Sequence, residues 1–193
     1  MDAAAREVLD FWFGEPGTAA HGQARTEWFR KSDAFDADIA RRFGSLIDGA
    51  LRAGLGEWAE QPESALARIL LLDQFTRNAF RGSARAFSGD ALALAAARAM
   101  VASAQDATLL PVQRAFVYLP FEHSEDLSMQ DEAVRLFTRL AAETPTMQDT
   151  LDYALRHHAV IARFGRFPHR NALLGRTSSE EETAFLHEPG SHF

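Results

Sequence analysis

Apolar residues in this chain recur at spacings of three and four, and no long stretch alternates with a period of two. Phe35, Ile39, Phe43, Leu46, Ile47 and Leu51 form one such series. That phase gathers them on one face of a helix and would scatter them over both faces of a strand. The residue supply agrees: Ala, Leu, Arg and Glu abound while Val and Ile are sparse, which favours helix over strand. The expected fold class is therefore all-α.

About eight helical segments are expected from this pattern. The first runs from about Ala3 to Phe13 and ends at Gly14; the second runs from Asp33 to Ala53. The third opens with Pro62, tolerated in a first turn, and its run through Phe75 is apolar nearly all round, as in a central buried helix. A fourth starts near Ser88, and a fifth runs from Pro111 and stops at Pro120. A sixth is capped by Ser128, with Asp131 three residues later. The seventh starts at Thr144-Pro145 and reaches Phe164, with Gly165 just past its end. A short eighth spans Pro168 to Gly175, and Ser178 or Ser179 caps a last turn that holds Glu182, Phe185 and Leu186. Connections are short, so successive helices should pack antiparallel. No low-complexity linker divides the chain, and residues 1–193 are expected to form one domain.

Several function classes are disfavoured. The net charge is −7, which argues against a generic nucleic-acid binder. The chain has no Cys, so disulfides, thiolate-held metals and a thiol nucleophile are excluded. The N-terminus carries Asp2, Arg6, Glu7 and Asp10 and does not read as a signal peptide. No window has the ~18 consecutive apolar residues of a spanning helix. The expectation is a cytoplasmic protein without membrane or nucleic-acid partners. No Walker, dinucleotide or Gly-x-Ser-x-Gly fingerprint is present, and no cofactor is expected. Neither His-Glu-x-x-His nor a di-iron Glu-x-x-His occurs, so no metal ligand is assigned.

Three segments concentrate chemistry. In Leu72–Gly82, Asp73 and Arg77 stand four apart on one helix face, followed by Asn78. Either the two charges simply pair, or Arg77 and Asn78 face a pocket. In Tyr118–Asp126, carboxylates at Glu122 and Glu125 flank His123. A carboxylate can orient an imidazole for acid–base work, and the same cluster can cap the next helix. From Tyr153 to Ser179 there is no acidic residue, yet the window holds Arg156, Arg163, Arg166, Arg170, Arg176, His157, His158 and His169. Pro168 opens a helix there, and free N–H groups at such a start favour an anion. Arg166, His169, Arg170 and Asn171 would converge on a phosphate or carboxylate; alternatively these arginines pair with Asp73, Glu122 and Glu125. His157 and His158 face different ways and read as core or boundary residues.

These segments together resemble a known family. Leu72-Asp73-Gln74-Phe75, Arg77-Asn78 and Phe80-Arg81-Gly82, then Tyr118 to Glu125 with Gln130, Arg163 to Arg176 with Ser178, and Glu181 to Leu186 match the pattern of the bacterial domain-of-unknown-function family nine-two-four. The opening Val8 to Gly14 also fits. Thr76 departs from it, since such sequences often carry Pro there. The resemblance implies an α–α superhelix, an antiparallel helical-hairpin array of the tetratricopeptide-like type. It implies no activity and no catalytic residues.

On the residues themselves, the first expectation is a polar pocket for a small anionic ligand, phosphate- or carboxylate-bearing. Arg77, Asn78, Glu125, Arg163, Arg166, Arg170 and Asn171 would bind it, with arginine forks as the clamp. His123 with Glu122, and secondarily His169, would be the acid–base groups of a hydrolase or lyase. The alternatives are a scaffold for a protein or peptide partner, and a purely structural ion network that fixes helix order.

Overall fold

The computed structural model describes residues 1–191 and is helical throughout, with no strand among the described residues. Helix α1 (Ala3–Phe13) starts on the Asp2 carboxylate, which accepts from Ala4 N and Ala5 N. Helix α2 (Asp33–Leu51) is capped by the Ser32 hydroxyl. Helix α3 (Pro62–Leu70) runs without a break through a π turn, Leu71–Phe75, into α4 (Thr76–Ala79). Then come α5 (Asp90–Ala102), α6 (Pro111–Glu122), α7 (Leu127–Glu143), α8 (Gln148–Phe164) and α9 (Glu180–Leu186). Helix α7 packs between α6 and α8, while α1 lies on α3 and α2 on the π turn. The result is an array of packed helices, as the apolar phase required.

One apolar core runs through the array from Ala5 to Ala154. Its N-terminal part is aromatic: Trp12 stacks on Trp28 at 5.9 Å, Phe43 meets Phe75 at 5.0 Å, and Phe116 stands edge-on to Trp28 at 4.9 Å. Such pairs add roughly 0.5–1.5 kcal/mol each beyond their buried area. A smaller cluster of Val160, Ile161 and Phe167, with Phe164 and Phe185 against it, fastens the C-terminal segment to α8.

Local boundaries differ from the sequence reading in four places. Pro120 does not end α6, which continues through it to Glu122. The missing N–H costs one bond to Phe116, and Pro120 is itself buried in the packed array. The cap of α7 is Asp126, whose carboxylate accepts from Ser128 N at 2.8 Å, so Ser128 lies inside the helix. The segment from Pro168 makes only a 3-10 turn, Pro168–Arg170, and not a helix to Gly175. The third helix contains the π turn, which an all-apolar run gives no phase signal to reveal. Other boundaries match: Gly165 ends α8 in the left-handed conformation (φ +68°), and Ser179 with Glu182 forms a capping box on α9.

The π turn positions the chemistry. The extra residue in a π turn rotates the residues after it, and here it leaves Asp73 buried inside the array. The Thr76 hydroxyl donates back to Leu72 O at 2.8 Å. Gly89, just before α5, sits directly on this turn. A Cβ there would stand 2.1 Å from the Leu72 carbonyl oxygen, so only glycine allows the approach. That approach brings Asp90 to Arg77.

Candidate functional site

The π turn, the C-terminal end of α6, the middle of α8 and the Pro168–Arg170 turn meet at one buried polar centre. The Asp73 carboxylate is its hub. Oδ1 accepts from His123 Nδ1 at 2.7 Å and faces Arg77 at 3.3 Å, while Oδ2 accepts from Gln74 Nε2 at 2.6 Å. Arg77 also donates to the Asp73 carbonyl and makes a forked pair with Asp90 at 2.9 and 3.3 Å. Arg170 reaches the same Asp90 at 3.1 Å, its guanidinium over the rings of Phe167 and Phe87. Its Nε is buried with no hydrogen-bond partner.

Glu122 lies beside this hub as the last residue of α6. Its Oε1 is 3.0 Å from His157 Nδ1, and its Oε2 is buried with no hydrogen-bond partner. His157 Nδ1 donates to Tyr153 O at 2.9 Å. The His123 and His157 rings stand 6.2 Å apart. Gln130, fully buried on α7, donates to Glu122 O and Ser124 O, both at 2.6 Å, and pins the turn that presents His123.

Burial and neighbouring charges set the protonation states. Burial would raise the Asp73 carboxyl, but Arg77 and His123 outweigh it and hold it far below its ordinary range. Burial, with the Asp73 charge nearby, pushes Glu122 up to about 8, which favours its neutral form. Burial pulls His157 down to about 3, assisted by His123. It also lowers His123, against the pull of Asp73. Burial and the like charge of Arg77 bring Arg170 down to about 10. With Asp73 ionised, the Nδ1 of His123 carries the proton, and its lone pair sits on Nε2.

A second polar assembly surrounds the C-terminal segment, and here every arginine has its carboxylate. Arg166 makes a forked pair with Glu182 at 2.6 and 2.8 Å, and Arg163 pairs with Glu181 on the exposed side. Arg176 forks onto Glu125 at 2.7 and 2.9 Å. Glu125 also accepts from Phe167 N at 2.8 Å, so the anion at the start of the Pro168 turn is the protein's own side chain. Asn171 joins Ser178, Arg176 and Glu182.

The candidate residues therefore divide. The fold brings Arg77, Glu122, His123 and Arg170 to the centre, and His169 stands beside it, its ring 5.6 Å from that of Phe167. Arg163, Arg166, Asn171 and Glu125 belong to the saturated C-terminal assembly, where their partners come from α9 and its cap. Asn78 donates to Asp36 of α2 at 2.7 Å and lies outside both. Sequence reasoning missed Asp90, whose only local signal is its place after Gly89; it read His157 as a core or boundary residue, and His157 is buried, though beside Glu122. Its neighbour Glu122 is 35 positions away, so no local spacing reveals the pair.

No match was found among curated proteins. A solved structure of a protein of unknown function from Agrobacterium tumefaciens is similar over 96% of this chain and 97% of its own, at 37% identity and a TM-score of 0.84. The family model of a bacterial protein of unknown function, DUF924, matches residues 8–190, which spans the π turn, the polar centre and the C-terminal assembly. The chain belongs to that family.

Proposed function

We propose that the protein binds a small phosphate- or carboxylate-bearing molecule at the polar centre and acts on it as a hydrolase or lyase. The observation that carries this reading is a set of open valences in the network, two of them on ionisable groups and one on the amide oxygen of Gln130. Arg170 Nε and Glu122 Oε2 are both buried without a hydrogen-bond partner. A buried polar atom left unpaired costs about 1–3 kcal/mol, and a purely structural network has no use for two of them. Arg77 and Arg170 supply positive charge around Asp90, and His123, fixed by Asp73 through Nδ1, keeps its second ring nitrogen out of that bond. A π turn at the hub fits the same view, since such turns concentrate at functional sites.

The test is a thermal-shift and calorimetric screen of phosphate esters and short carboxylates. One anion class should raise the melting midpoint. Arg170→Lys should abolish the shift, because it keeps a charge for Asp90 and removes Nε. A wild-type protein that responds to no anion would sink the reading.

A second reading, a scaffold for a protein or peptide partner, draws on Tyr153 and Leu155, which α8 leaves half exposed. Tyr153→Ala with Leu155→Ala would then abolish co-purification of a defined partner and leave anion shifts intact.

A further inference from the structure

We propose that Glu122, His123 and His157 together bind one divalent transition-metal ion. The inference rests on the anion-binding reading for the role of the ion, though not for the existence of the site. The three side chains each offer a ligand atom, all within 4.8 Å of one another. Two imidazoles and one carboxylate form a donor set suited to zinc, iron, cobalt or nickel, with positions left open for an outside ligand.

Three features of the centre point to an ion and not only to a polar cluster. The first is Glu122 Oε2, a carboxyl oxygen shut away from water with no hydrogen-bond partner. The second is the way both rings are held. His123 donates Nδ1–H to Asp73 and His157 donates Nδ1–H to the Tyr153 carbonyl. Each bond fixes one tautomer and places the lone pair on Nε2, which is how metal-binding histidines are oriented by their outer partners. The third is rigidity: Gln130 clamps the backbone of Glu122 from α7, and Asp73 is itself held by Arg77 and Gln74. Metal–ligand bonds of about 2.0–2.2 Å require donor atoms roughly 3–3.5 Å apart, so binding would draw the three together by up to about 1.3–1.8 Å, through side-chain adjustment.

The ion would give the anion-binding centre its electrophile. An oxygen of the bound anion, or a water, would take an open position, with Arg170 as a second point of attachment. His123 is then a ligand, and the proton is carried by the ion-bound water and not by its ring.

The probe is Co(II) added to metal-stripped protein, with visible absorption and calorimetry as the readouts. About one ion should bind per chain, with absorption bands of a mixed nitrogen and oxygen site. Glu122→Gln and His157→Gln should each weaken binding at least tenfold, and Asp73→Asn by about 10–100-fold as an orienting partner. His158→Ala should not matter, since His158 pairs with Asp131 on the surface. Nitrogen-resolved spectra of the histidine rings provide a readout independent of the variants: Co(II) should perturb Nε2 of His123 and His157 first. Absence of binding, binding that survives Glu122→Gln, or ring signals that stay put would overturn the proposal. Inorganic phosphate that binds the metal-stripped protein through Arg170, with no Co(II) uptake, would remove the ion and leave the anion-binding reading standing. Co(II) uptake with no anion response would do the reverse.

Discussion

The polar centre and the C-terminal assembly use the same residue types to opposite ends. Around Glu182 each acceptor is matched: Arg166, Asn171 and the Ser179 N–H all donate to its carboxylate. Around Asp73 the hub is equally full, but the rim is not, with Glu122 Oε2, Gln130 Oε1 and Arg170 Nε left over. A closed network holds helices in place; the network with vacant valences is the one we propose to bind a ligand. Charge density in the sequence therefore marks both, and only the pairing tells them apart.

Removing the hub should have the largest effect. Asp73→Ala strips Arg77 and His123 of a partner that is 1% exposed, and breaking a buried pair costs about 3–5 kcal/mol. Chemical denaturation should show that loss; an effect below about 1 kcal/mol would mean that the centre carries no structural weight. Gly89→Ala comes next. Its Cβ would collide with the Leu72 carbonyl, and overpacking of this kind costs typically about 1–3 kcal/mol. It should also push Asp90 off Arg77, so urea unfolding and anion affinity should fall together.

The C-terminal assembly should respond less, and in a manner set by pH. Glu182→Gln loses a charge-assisted fork and half of a capping box, about 1–2 kcal/mol, with water screening the part-exposed Arg166. The Glu182 carboxyl is held down to about 2, chiefly by its bond to Arg166. A depressed folded value stabilises above the ordinary 4.5 and fades as pH falls from there toward 2. The gap between wild type and Glu182→Gln should therefore shrink across that window. A gap constant from pH 7 to 3 would contradict the assignment. The smallest effect belongs to the open rim: Glu122→Gln removes no hydrogen bond of Oε2 and should shift stability by less than about 1 kcal/mol, while the ligand responses vanish. A large destabilisation there would turn the rim into one more structural network and erase the contrast.

The helical array and most caps were legible because they are local. Apolar residues three and four apart, Gly165 after Phe164, and Ser179 three before Glu182 all act within one or two turns. The site was legible only as three segments. Which arginine meets which carboxylate is fixed by contacts such as Arg170 with Asp90, 80 positions apart, and no spacing rule reaches that far. The choice of Glu182 by Arg166 is decided by where α9 docks. The π turn hid in a run of leucines that is buried on every side, and Pro120 misled because its cost is met by packing at the last turn of α6.

The stacked Trp12 and Trp28, with Trp58 the third indole, all precede residue 60, and the stretch from there to the C-terminus contains none. Tryptophan emission from this protein, excited selectively over Tyr118 and Tyr153, is thus a reporter of α1, α2 and their neighbours. If acid opens the Arg166–Glu182 side first, circular dichroism will register the loss of helix while the fluorescence stays native. The separation between those two optical transitions would measure, without a label, how far the end of the chain melts independently of its beginning.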